Sequence, residues 1–129
     1  MFRITKKILI QVLLSAVLLV LIDSIYLNIF GNYFGKQVYK VQNSVMRINF
    51  TGAILCYIFL IFGINYFIIT PNKSPLDAFL LGLVIYAVFE TTNYALFTNW
   101  SIISVVIDTI WGGILFALTT FLISKINLS

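Results

Sequence analysis

"LVIYAVFETTNYALF", residues 83–97, is apolar at both ends and places Glu90, Thr91, Thr92 and Asn93 in a row near its middle. It lies within a longer apolar segment, 76–98, and whether lipid or water surrounds that segment decides the fold. The 129-residue chain is 61% hydrophobic, 16% aromatic and only 9% charged, far below the charged fraction of about one quarter usual in soluble domains. Lipid is the surrounding that this composition requires. Three further apolar segments, 8–30, 48–70 and 102–124, are each long enough as a helix to cross roughly 30 Å of hydrocarbon at about 1.5 Å per residue. No alternating barrel pattern is present, and backbone groups in lipid must be satisfied within their own segment, so helices are expected rather than strands.

The expected fold is therefore all-α: one membrane domain over residues 1–129, an antiparallel bundle of four transmembrane helices. Two connections, 71–75 and 99–101, are short enough to force neighbouring helices to run in opposite directions. The first connection is longer. In it Phe34, Val38, Val41 and Val45 share one helical face and Lys36, Lys40, Asn43 and Arg47 another. That pattern predicts a short amphipathic interfacial helix between helices 1 and 2, with Lys36, Lys40 and Arg47 as its basic face.

The net charge of +4 reflects basic residues at segment ends, where they meet phospholipid head groups, and not a nucleic-acid partner. Arg3, Lys6, Lys7, Lys73 and Lys125 fall on one side, and Lys36, Lys40 and Arg47 on the other. Both termini are thus expected in the cytoplasm, in a multi-pass integral membrane protein. The N-terminal apolar run is too long for a signal peptide, and 23–26 offers no small-x-small cleavage site, so it is read as a span. The N-x-S/T matches at Asn49, Asn72 and Asn99 lie in or beside spans and are read as chance matches. With no histidine and one cysteine, Cys56, zinc and haem sites of the usual kinds are excluded. No cofactor, metal or catalytic residue is assigned.

Three carboxylates lie within the spans. Asp23 is seven residues before Phe30, Glu90 eight before Thr98 and Asp108 six after Ile102, which puts each about 9 to 12 Å below the face opposite the termini. Helical spacing groups Gly82, Tyr86, Glu90, Asn93 and Phe97 on the third span. It also groups Ser104, Asp108, Gly112, Leu115 and Thr119 on the fourth, and Ser15, Leu19, Asp23 and Tyr26 on the first. Gly113 and Ala117 add a small-xxx-small pair, and Asn49, Gly52, Cys56 and Gly63 mark the expected inward face of the second span.

These faces predict an intramembrane polar cluster of Asp23, Glu90, Asn93 and Asp108, supported by Tyr26, Tyr86, Thr92, Trp111 and Gly112. Three acids in one layer without Lys or Arg cannot all stay ionised, so they are expected to share protons or a bound cation, with Arg47 the one base able to reach down. A plainer reading makes the same groups hydrogen-bonding glue that fixes helix register. Asp77 is read as a helix N-terminal acid, and Trp100, Tyr33 and Tyr39 as interfacial belt residues.

The segments "LIDSIYLNIF", "FGINYFIITP", "GLVIYAVFETTNYALFTNW" and "VVIDTIWGG" together resemble a family of small membrane proteins known as domain of unknown function 2177. The resemblance covers nearly the whole chain. Its most specific pieces are Tyr-x-x-(acid)-x-Thr-Asn and Asp-x-x-Trp-Gly. It implies marked positions at Asp23, Tyr86, Glu90, Thr92, Asn93, Trp100, Asp108, Trp111 and Gly112. Glu90 stands where that family usually has aspartate, and Tyr26 where tryptophan is common. The resemblance implies no activity.

Three functions are open to such a chain. The first is binding a proton, cation or small cationic solute and taking part in its movement across the bilayer, as a homo-oligomer because four short helices enclose little volume. The second is a structural role, organising a bilayer or a partner. The third, a lipid-modifying enzyme, ranks last because carboxylates alone lack a nucleophile or metal set.

Overall fold

A computed structural model describes residues 4–126 of the chain, so Arg3 lies outside the described residues. The described residues contain no strand, and four helices are long and apolar enough to cross a membrane. Helix α1 is Lys6–Gln42, α2 is Phe50–Ile64, α3 is Pro75–Leu96 and α4 is Ile102–Ser124. A π-helical turn, Asn65–Ile69, continues α2 to a combined 20 residues.

Each helix begins at a side chain that accepts an otherwise unpaired backbone N–H. Thr5 caps α1, Asn49 caps α2, Ser74 caps α3 and Ser101 caps α4, the positions where Ser, Thr and Asn are favoured. At α3 the exchange is reciprocal: Ser74 Oγ accepts from Asp77 N at 3.1 Å and donates to its carboxylate at 3.1 Å. Pro75 fits the first helical turn, where no N–H partner is needed. The three N-x-S/T asparagines have structural work: Asn49 is a cap, Asn72 takes a left-handed turn conformation with φ 60°, and Asn99 donates to the Lys40 carbonyl.

The separate interfacial helix does not form. Helix α1 runs unbroken for 37 residues, about 55 Å, and ends at Asn43 in the left-handed conformation. Residues 45–49 that follow have no regular structure. The reason lies in which face docks. Polar Gln37, between the supposed apolar and basic faces, is 4% exposed and bonded to the α3–α4 connection, whereas Val45 is 73% exposed. Tertiary hydrogen bonds thus extend α1 in line, and its amphipathic pattern does not lay it down as a new element.

Of the four residues expected to mark the inward face of α2, Gly63 is buried and the other three are not. Asn49, Gly52 and Cys56 are exposed, and the buried positions are Leu60, Gly63 and Ile64, continued by Asn65, Ile68 and Ile69 in the π turn. Beside Gly63, large apolar side chains fill the interior. They join Leu19, Ala78, Leu115, Phe116 and Ile123 in one apolar core.

Helices α3 and α4 make the most intimate pair. A Cβ added at Gly82 would overlap the Gly112 carbonyl, and one at Gly112 would overlap the Tyr86 ring. Missing side chains therefore let the two backbones touch, the packing mode that favours association in lipid. The outer face of α3 carries exposed Leu80, Val84, Val88 and Phe89, a surface suited to hydrocarbon. Gly82→Ala should destabilise the protein by about 1 to 3 kcal/mol through overpacking. Gly31→Ala, with nothing within 4 Å of the new Cβ, should be neutral or stabilising by up to about 1 kcal/mol. Thermal unfolding of both variants in detergent checks the contrast.

Candidate functional site

Helical spacing on α1 puts Ser15, Leu19, Asp23 and Tyr26 on one buried stripe. On α4 Ser104, Gly112, Leu115 and Thr119 are buried and Asp108 is partly so. On α3 the stripe is narrower: Gly82 and Glu90 are buried, Tyr86 and Asn93 are partly buried, and Phe97 is exposed. Glu90 is 1% exposed and Asp23 7%, so their carboxyl groups depend on protein donors.

Those donors come from other segments. Asp23 accepts from Tyr57 Oη of α2 at 2.5 Å and from Trp111 Nε1 of α4 at 2.9 Å. Asp108 accepts from Tyr26 Oη of α1 at 2.9 Å, and Glu90 accepts from Trp100 Nε1 of the α3–α4 connection at 2.9 Å. The Tyr26 ring stacks on Trp111 with centroids 4.6 Å apart and planes inclined by 1°. Finally, the carboxyl groups of Glu90 and Asp108 meet within hydrogen-bonding reach. All four helices and one connection thus join a continuous network running from Tyr57 through Asp23, Trp111, Tyr26, Asp108 and Glu90 to Trp100.

The network sorts the residues singled out in the sequence. Asp23, Glu90, Asp108, Tyr26 and Trp111 belong to it. Gly112 and Tyr86 support it as the glycine seat and the ring packed there. Asn93 is not a member; its backbone carbonyl accepts from Phe97 at the end of α3. Thr92 is exposed and turns its hydroxyl back to the Val88 carbonyl at 2.6 Å. Arg47 is exposed in the segment after α1, and Lys36 and Lys40 are exposed on its last turns. Among the described residues no group of three or more acid, cysteine or histidine side chains could hold a metal ion. Three cavities in the structure, of about 390, 520 and 430 Å³, have none of the three acids in their linings.

Trp100 and Tyr33 do more than sit at an interface. Trp100 holds Glu90, while Tyr33 Oη lies 3.2 Å from Ser101 Oγ and 3.0 Å from Ser104 Oγ. Gln37 completes this second cluster: it donates to Asn99 O at 2.7 Å, and its Oε1 accepts from Ser101 N at 3.0 Å and Ser104 Oγ at 2.7 Å. A third polar contact, Asn65 Nδ2 to Ser15 Oγ at 2.8 Å, ties the π turn to α1. Tyr57 and Gln37 escaped the sequence reading. Gln37 had a signal, because the α1 stripe continues at helical spacing from Tyr26 through Phe30 and Tyr33 to Gln37. Tyr57 had a weaker one, a phenol in an apolar span that needs a hydrogen-bond partner.

A family model described as "Predicted membrane protein (DUF2177)" matches residues 8–124. No curated protein and no solved structure matches the chain. Together with the four apolar helices, the family match makes the chain an integral, multi-pass membrane protein.

Removing a donor from a buried carboxyl leaves a desolvated acceptor, so Trp100→Phe and Tyr57→Phe should each destabilise the protein by about 1 to 3 kcal/mol. Thr92→Val, altering an exposed residue bonded to its own helix, should stay within about 0.5 kcal/mol. Thermal unfolding of the three variants in one detergent gives the comparison.

Proposed function

The chain belongs to the DUF2177 family of membrane proteins, and from that premise we propose that its Glu90–Asp108 pair binds a proton, cation or small cationic solute and takes part in moving it across the bilayer. The observation that carries this reading is the meeting of two carboxyl groups from adjacent spans, with no lysine or arginine bonded to either acid among the described residues. Two such groups in contact need one positive charge between them, whether a proton or a bound cation. Intramembrane acids arranged in this way are a recurring feature of proton and ion pathways. Tyr26 and Trp100 orient the pair from either side, which leaves the shared site as the exchangeable element.

The architecture proposed with it is one membrane domain built as an antiparallel bundle. Its support is a series of contacts in which numbers rise on one helix as they fall on the next. Asp23 and Ser15 of α1 pair with Tyr57 and Asn65 of the α2 rod. Tyr26 and Gln37 of α1 pair with Asp108 and Ser104 of α4. Both termini would lie in the cytoplasm, with Lys7, Lys73 and Lys125 at the same end of the bundle. The exposed apolar face of α3 offers a surface for a homo-oligomer as well as for lipid.

A second reading, a structural or assembly role, is favoured by one observation: each of the three acids is already held by an aromatic donor. On that reading the network fixes helix register and exchanges nothing. The two readings separate in proteoliposomes. Glu90→Gln and Asp108→Asn should each abolish a pH-dependent flux of protons or small cations while the protein keeps its fold by circular dichroism. Unchanged flux in both variants would rule the transport reading out. An assembly role would tolerate both amides and suffer from charge reversal at Lys36 and Lys40.

A further inference from the structure

The short chain that carries Trp100 from α3 to α4 has little of its own to hold an indole in place, since Phe97, Thr98 and Asn99 are all exposed. It is held from α1 instead. The Gln37 side chain donates from Nε2 to Asn99 O at 2.7 Å and accepts at Oε1 from Ser101 N at 3.0 Å. Asn99 O belongs to the peptide group before Trp100, and Ser101 N to the one after it. One side chain therefore grips both peptide planes that flank the indole, and planar peptides leave the backbone between them only two soft angles. The direction in which Trp100 leaves the chain is set by Gln37.

Gln37 is itself fixed. It is 4% exposed, and its Oε1 accepts a second hydrogen bond, at 2.7 Å, from the hydroxyl of the fully buried Ser104 on α4. An amide engaged on both its donor and its acceptor side cannot flip without losing all of these bonds. Tyr33 Oη, one turn earlier on α1, adds a contact of 3.2 Å to Ser101 Oγ. The clamp acts on a donor that solvent cannot replace. Glu90 is 1% exposed, and Trp100 Nε1 at 2.9 Å is the donor it has from outside the acid pair among the described residues. The other titratable groups near the pair, Tyr26 and Asp23 of α1, Cys56 of α2 and Tyr86 of α3, make no hydrogen bond to Glu90 among the described residues.

We propose that Gln37 is a positioning residue for the buried pair: by holding both peptide groups beside Trp100 it keeps the indole on Glu90, and so governs how readily Glu90 takes the proton that the two carboxyls share. A hydrogen bond donated to a carboxyl favours its ionised form. Without the indole, Glu90 keeps only Asp108, a partner that needs a proton between the two. The inference rests on the proposed exchange at this pair for its use, whereas the chain of hydrogen bonds exists without it.

The test uses the full chain in detergent, labelled with heavy nitrogen. The sequence has two tryptophans, so two indole Nε1–H signals are expected by nuclear magnetic resonance, and Trp100→Phe assigns them. Gln37→Leu should move the Trp100 signal toward that of an unbonded indole and leave the Trp111 signal in place. Dicyclohexylcarbodiimide, which reacts with a buried carboxyl in its protonated form, reads the acid. Its rate of attachment to Glu90 at fixed pH should rise about fivefold in Gln37→Leu, the factor carried by one net hydrogen bond. Trp100→Phe should give the same rise and the double variant no more, because Gln37 acts through Trp100. Tyr33→Phe, which takes a single hydroxyl from the clamp, should change both readouts in the same direction by less, and carries the test if Gln37→Leu fails to fold by circular dichroism. Thr92→Val should change neither. An unmoved Trp100 signal, or additive effects of Gln37→Leu and Trp100→Phe on attachment, overturns the inference. Absence of flux in proteoliposomes of the unaltered protein, with signal and attachment responding as stated, removes the transport reading and leaves the role of Gln37 standing.

Discussion

A carboxyl group in an apolar layer must be given donors by its neighbours, and in this chain every such donor comes from a different segment. An acid at mid-membrane costs roughly 2.5 to 3.5 kcal/mol on insertion scales, against a gain of about 0.3 to 0.6 from each Leu, Ile, Val or Phe. With Glu90, two threonines and an asparagine together, α3 gains little from lipid alone. Its acid is satisfied only when Trp100 and α4 are in place. Asp23 likewise needs Tyr57 from α2 and Trp111 from α4. The acids therefore make the helices depend on one another, where a purely apolar set would have no strong preference for its own partners over lipid.

Glycine sets the distance at which this dependence operates. Because Gly82 and Gly112 carry no side chains, the α3 and α4 backbones meet directly, with the Tyr86 ring seated on Gly112. One turn from Gly112 along α4 is Asp108, and just over two turns from Gly82 along α3 is Glu90. Close approach at the glycines thus delivers the two carboxyl groups to each other. Any residue that pushes the helices apart there would also part the acids, so packing and chemistry at this pair share one cause.

Much of this arrangement follows from helical periodicity. Ser15, Leu19, Asp23 and Tyr26 recur at the spacing of one face, and that face is buried. The α4 stripe is recovered in the same way, because its small and polar members interrupt an otherwise uniform apolar run. Periodicity fails where the signal is tertiary. Nothing local marks Trp100 as a donor to Glu90 rather than an interfacial anchor, since both roles suit an indole near a span end. Residues 31–42 carry an amphipathic pattern, yet Gln37 has the tertiary partners and α1 runs on through it as one helix. In the first half of α2 the polar and small residues Asn49, Gly52 and Cys56 lie outside the core, so a rule that sends such residues inward holds only from Gly63 onward.

The two polar clusters on the acid side of the bundle are not independent. Trp100, the donor to Glu90, sits between Asn99 and Ser101, and both of those are bonded to α1: Asn99 to Gln37 and Lys40, Ser101 to Gln37 and Tyr33. The extension of α1 therefore clamps the short chain segment that carries the indole. A rotation of this connection away from α1 would break the Gln37 bonds and withdraw Trp100 from Glu90 together. The carboxyl would then keep only Asp108 as a partner, a contact that itself requires a proton or cation. The last turns of α1 and the buried pair are thus linked by hydrogen bonds through the α3–α4 connection.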